Sequence, residues 1–159
     1  MFRKCIVLGL FAALFVAPFA TTGFAQDVNE AAMRLYNKGV QLLETGKGDA
    51  ARQAFQTIVD KYPTGAYAKL AREGLDKPLV ASITFKELKG ISEKEVRKEF
   101  ELANARLMVG RPYDEAASDQ ARSMLAQMMI KRKLVAKNIE VTAVDAPNNK
   151  KAVTITVVR

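Results

Sequence analysis

Glu93, Glu95, Glu99 and Glu101 form a dense run of carboxylates in the chain, and a pair of carboxyl groups is what proton transfer to a substrate needs. They alternate with Lys94, Arg97 and Lys98, so the pattern reads as a solvated, charge-laced helix face and not as a dry catalytic pair. Composition removes the other common chemistries. The sequence has no histidine and a single cysteine, Cys5, which falls in a segment expected to be cleaved. Without these residues there is no serine–histidine or cysteine–histidine nucleophile, no disulfide and no zinc site of the usual ligand types. Glycine-rich phosphate loops and nucleophile elbows are not visible either. The expectation is a protein that is not an enzyme and takes no cofactor and no metal.

What remains is the chemistry of recognition. Lys131, Arg132 and Lys133, with Lys137 nearby, could meet lipid headgroups or an acidic partner; at the end of a helix they also complement its macrodipole. Met124, Met128 and Met129 could form an adaptable stripe, because methionine repacks readily. Met124 and Met128 read as core filling, and Met129 as lying off the main apolar face. Glu140, Val141, Thr142 and Ala143 sit in a β-branched run whose main chain can bind a second chain if it lies at a sheet edge. Tyr36, Asn37 and Lys38 fall on the first helix of the chain, where ordinary surface is the plain reading.

The elements that must position these groups follow from punctuation. A chain of 159 residues allows one or two small domains. Residues 1–25 read as a secretory signal peptide: Arg3 and Lys4 open it, residues 6–16 are uninterruptedly apolar, and Gly23, Phe24 and Ala25 place small residues at a cleavage site. The apolar core is too short for a comfortable span and is broken by Pro18, so a mature chain starting at Gln26 and secreted across the inner membrane to the periplasm is expected. Loss of Arg3 and Lys4 takes the net charge from +8 to +6, which suits an anionic surface but is not evidence of a nucleic-acid site. No nucleic-acid partner is expected.

Residues 26–76 are expected to be all helix. Leu35, Gly39, Leu42 and Leu43 recur at helical spacing, Gly46 and Gly48 break the helix, and Asp49 is the expected N-cap of the next. Ala51, Ala54, Phe55, Ile58 and Tyr62 line one side of that second helix, Pro63 follows it, and residues 66–75 form a third. After the short link at Asp76, Lys77 and Pro78, residues 78–159 read strand, helix, helix, strand, strand. The first strand is residues 80–86. Ser92 and Glu95 form a capping box, and Val96, Phe100 and Ala103 should face the sheet. Residues 104–111 are a loop, Asp114 caps the second helix, and Ala117, Ala121, Leu125 and Met128 are its apolar face. Two runs, 139–144 and 152–158, flank a turn at Pro147, Asn148 and Asn149. The fold class is therefore α+β, with both helices on one face of a small sheet. Such close linkage implies contact between the two units.

Two resemblances attach to these residues. Ile83, Thr84 and Phe85, then Ile91 to Val96, then Val109, Gly110, Arg111, Pro112, Tyr113 and Asp114, with Ala121, Leu125 and residues 153–157, make the second half similar to the POTRA (polypeptide-transport-associated) domain of outer-membrane assembly machineries. It departs from that family in lacking a glycine between the second helix and second strand, where residues 131–135 stand. Leu35, Gly39, Leu42, Gly46, Ala51, Phe55, Ile58 and Pro63 resemble a single tetratricopeptide (TPR) repeat with a capping helix. It departs from that repeat in having Gly48 where an aromatic is common. One repeat cannot bury a continuous core alone, so something must cover it.

Both families bind other polypeptides. The resemblance thus implies a periplasmic adaptor, associated with the bacterial envelope and linked to outer-membrane protein assembly or transport. It would hold a protein partner at a sheet edge and on a helical-repeat surface; in the TPR family the first helix, here with Tyr36, Asn37 and Lys38, lines the binding face, and in the POTRA family the second strand, here residues 138–144, is such an edge. Two other readings compete: a structural cell-envelope or division protein docking to a membrane partner, and a BON-like module contacting a lipid surface through its basic residues.

Overall fold

A computed structural model describes residues 22–158 apart from Lys89. The expected leader therefore lies outside the described residues, except for its last four positions, which begin the first helix. Among the described residues no helix is long and apolar enough to cross a membrane. The elements run α1 (Thr22–Glu44), α2 (Gly48–Lys61), α3 (Ala66–Asp76), β1 (Leu79–Lys86), α4 (Glu93–Leu102), α5 (Glu115–Lys131), β2 (Asn138–Ala146) and β3 (Lys150–Val158). The described residues are mixed α and β: five helices and one three-stranded sheet.

Helices α1 to α3 close on a core of Ala32, Ala51, Phe55, Ile58, Ala68 and Ala71. Small residues dominate because the helices approach closely around one large ring. Phe55 is that ring, and a Cβ at Gly39 would sit 2.4 Å from its edge. The N-cap of α2 is Lys47 and not Asp49. Gly48 already has helical geometry, which moves Asp49 into the first turn, where its charge still favours the positive end of the helix.

In the second half, β3 is the central strand, parallel to β1 and antiparallel to β2. Residues Val153, Ile155 and Val157 of β3 face the helices and are buried. Val96 and Phe100 of α4 meet them, but Ala103 is exposed, because α4 ends at Leu102 and Ala103 is its C-cap. Buried Ala105 and Leu107 from the following loop fill that space instead. On α5 the buried apolar stripe is Ala117, Ala121, Leu125 and Met129. Met129 is 3% exposed and belongs to the core, against the expectation that it lies off the apolar face, while Met124 and Met128 are half-buried and pack against that core. The stripe holds a strict four-residue step to the end of the helix, so position 129 and not 128 stays over the sheet.

The hairpin is tighter than the sequence implies, its strands extending to Ala146 and from Lys150. Asn148 and Asn149 both have positive φ, 63° and 52°, a conformation asparagine tolerates better than most residues.

The helices and the sheet are clasped by polar contacts at the N-terminus of α2. Arg52 donates to Lys77 O at 2.9 Å and to Asn149 O at 3.1 Å. Asn149 Nδ2 donates to Leu75 O at 3.1 Å, and Lys150 pairs with Asp49 at 2.9 Å. Arg111 donates to Glu44 O while also holding Ala105 O at 2.8 Å and Asn104 Oδ1 at 2.6 Å. Gly48 and Gly110 let the two backbones meet: a Cβ on Gly48 would lie 2.3 Å from Gly110 O, and one on Gly110 1.8 Å from Gly46 O. The glycine at position 48, where an aromatic would be common in a TPR repeat, is the residue that permits this approach.

Candidate peptide-binding edge

A three-stranded sheet has two edge strands, here β1 and β2. The outer side of β1 is covered along its first half and at Ile83 O. Pro78 O accepts from Tyr113 N at 2.8 Å, Val80 O from Gly110 N at 2.8 Å, and Val80 N donates to Arg111 O at 2.8 Å. Further along, Arg97 Nη2 donates to Ile83 O at 2.7 Å while its guanidinium lies 5.3 Å over the Phe85 ring. The segment from Val109 to Asp114 thus acts as a strap on β1. Gly110 takes φ +80° to form it, and Tyr113 is fixed by the buried Ser118 hydroxyl, which donates to its oxygen at 3.2 Å.

The side of β2 that faces away from β3 follows from hydrogen bonds at the two ends of the sheet. Asn149 O accepts from Leu79 N at 3.1 Å, and Val158 O accepts from Lys137 N at 2.9 Å. Main-chain groups alternate sides along a strand, so odd-numbered β3 residues turn toward β1 and even-numbered ones toward β2. The register pairs Glu140 with Thr156 and Thr142 with Thr154; these β2 residues point their amides inward. Ile139, Val141, Ala143 and Asp145 point theirs outward. Ile139 N agrees, donating at 2.9 Å to the neighbouring Asn138 Oδ1.

A groove runs between this outward row and α5. Its larger part, about 570 Å³, is bounded by Ala126, Met129 and Ile130 of α5 and by the connection from Leu134 to Asn138. A second part, about 400 Å³, continues it past Arg122 along Ile139, Glu140, Val141 and Thr142. Two large apolar residues stand open here, Ile130 at 73% and Val135 at 82% exposure. Side chains of Ile139, Val141 and Ala143 pack toward the helices, while Glu140 and Thr142 are exposed.

The basic cluster divides in its roles. Arg132 pairs with Glu95 Oε1 at 2.6 Å, tying the end of α5 to the start of α4. Glu95 is the carboxylate of the capping box, receiving the Ser92 N–H at 2.9 Å. That N–H, then the Ser92 hydroxyl and Arg132, hold its carboxyl down to about 2. Lys131 and Lys133 are exposed. Lys133 takes φ +57° and closes the helix: its N–H donates to Ile130 O at 2.9 Å and that of Leu134 to Met129 O at 2.9 Å, the pattern that usually employs glycine.

Tyr36 is half-buried with its ring 5.6 Å from Phe55 and 5.7 Å from Tyr67, so it belongs to the packing of the helical unit. Asn37 is exposed on the same helix. Neither is near β2 in the fold's connectivity, and the structure does not bring the helix-face and sheet-edge residues into one site. Sequence reasoning missed Arg122, Ala126, Ile130 and Val135 as groove residues. The first three are spaced by four on one helix, on the flank of its inward apolar face, where helical spacing alone does not mark a site. Compared with known proteins, the chain matches no family model and no curated sequence.

Proposed function

We propose that this chain is a polypeptide-binding adaptor of the bacterial envelope, a TPR-like helical unit clasped to a POTRA-like domain, that captures an extended partner by adding a strand to β2. The reading is of binding, not catalysis, and places the mature protein in the periplasm. The single observation that carries it is the unequal treatment of the sheet's edges: β1 is strapped, while β2 presents outward amides and carbonyls beside a groove with exposed apolar walls. An incoming strand would satisfy those groups and bury Ile130 and Val135, which stabilises it by main-chain hydrogen bonds and apolar burial together.

The test uses Ala143→Pro. Its missing N–H and added ring fall on the outward side, where only an added strand is affected. Envelope extract passed over the immobilised mature chain should yield captured polypeptides with the wild type and none with Ala143→Pro, whose melting temperature stays within a few degrees. Undiminished capture by the folded proline variant would remove strand addition from the account.

A further inference from the structure

The groove's helical wall is ordered from one end to the other. Arg122, Ala126 and Ile130 occupy one line of α5 at four-residue steps, so a cation, a small residue and an exposed apolar residue follow each other beside β2. From the strand-addition reading we infer the chemistry of its client: an extended segment carrying, on one face, a carboxylate and a large apolar side chain four residues apart, with a small residue between them.

The spacing comes from geometry. Eight residues of helix separate Arg122 from Ile130, about 12 Å along the axis. Four residues of strand cover about 13 to 14 Å, and positions four apart share a face. The apolar side chain would enter the 570 Å³ recess against Ile130 and Val135; the carboxylate would lie at Arg122; the small residue would pass Ala126.

Charge favours this assignment. Arg122 and Lys137 are the charged residues lining the recess, and Glu140 is the one carboxylate along the edge portion. By strand alternation Glu140 projects to the opposite face of the sheet from Val141 and the groove. Among the described residues Arg122 has one partner, Asp119, which is 63% exposed and free to turn to water. A client carboxylate held against the strand would replace it without leaving Asp119 buried.

Fluorescein-labelled peptides test the inference by polarisation on the mature chain. One is Val-Thr-Asp-Thr-Ala-Thr-Leu-Thr-Val; a second exchanges its Asp and Leu, because β2 alone does not fix strand direction; further copies carry Lys for Asp. At least one acidic order should bind, and its lysine copy about tenfold more weakly. Arg122→Glu should invert that preference, with the lysine copy gaining what the acidic one loses, at unchanged melting temperature. Binding that ignores the charge swap, yet is abolished by Ala143→Pro, overturns the inferred client and leaves strand addition standing. Binding that survives Ala143→Pro overturns strand addition itself. No binding of either order at millimolar peptide overturns the inference, as does a self-associated chain by ultracentrifugation that Ala143→Pro returns to monomer, since a second copy would then fill the groove.

Discussion

The two edges of this sheet are built from similar strands and left in opposite states. Along β1 the strap from Val109 to Asp114 and the Arg97 guanidinium occupy outward groups at Pro78, Val80 and Ile83. Among the described residues, one outward amide along β2, that of Ile139, is occupied, and by its own neighbour Asn138. Exposed edges are templates for unwanted pairing, and proteins normally cover or charge them. Here most of the cover is spent on one side, and the side left open faces the groove of about 570 Å³, against about 170 Å³ beside Ile83 and Phe85 of β1. The difference lies in the connections and not in the strands: the α4–α5 loop crosses β1, whereas the α5–β2 connection runs back from the helix end and leaves β2 clear.

The strap is the first place to break that comparison. Gly110→Val sets a side chain against Gly46 O at a left-handed φ, and should cost roughly 3 kcal/mol or more. A thermal melt would read it, and self-association of the folded remainder would show β1 newly exposed. Next in size is Thr142→Pro, which removes an inward ladder bond to β3. It should lower stability by roughly 2–3 kcal/mol, against little change for Ala143→Pro one residue away. Equal melting temperatures for the two prolines would mean the sides of β2 have been assigned wrongly.

Smaller effects sharpen the groove's helical wall. Lys133→Gly relieves the left-handed residue closing α5 and should raise stability by about 0.5–1 kcal/mol in denaturant titration. Glu95→Gln tests the tie between α4 and α5. Because the native carboxyl is held to about 2, below its usual 4.5, the native state binds this proton more weakly than the unfolded chain. The stabilisation is therefore present above pH 4.5 and lost as pH falls toward 2. The wild type should lose its advantage over Glu95→Gln across that window in acid titrations followed by circular dichroism, and a constant difference would separate Glu95 from its partners.

Much of this was legible in the sequence because it is local. The capping box at Ser92 and Glu95, the Asp114 cap and the turn at Asn148 and Asn149 each depend on residues within a few positions, and the structure forms all of them. The three-helix packing around Phe55 followed from small residues at helical spacing. Met129 was misplaced because a four-residue step and a three-residue step are both helical, and only the tilt of α5 over the sheet selects between them. The role of Gly48 was invisible for a different reason: its partner, Gly110, lies on a loop far along the chain. Arg52 and Arg111 likewise bind main-chain carbonyls, which carry no sequence signal. The direction of the β2 amides depends on ladder register, which alternating β-branched residues leave undetermined by one position.

The central claim, that β2 offers an open row of main-chain groups, is tested most directly by residue-resolved amide hydrogen exchange with and without the acidic peptide. In the free chain the amides of Val141, Ala143 and Asp145 should exchange much faster than those of Glu140, Thr142 and Val80, and peptide should slow those three. Protection already present at Val141 and Ala143 in the free chain, or peptide-induced protection confined to residues away from β2, would contradict the account.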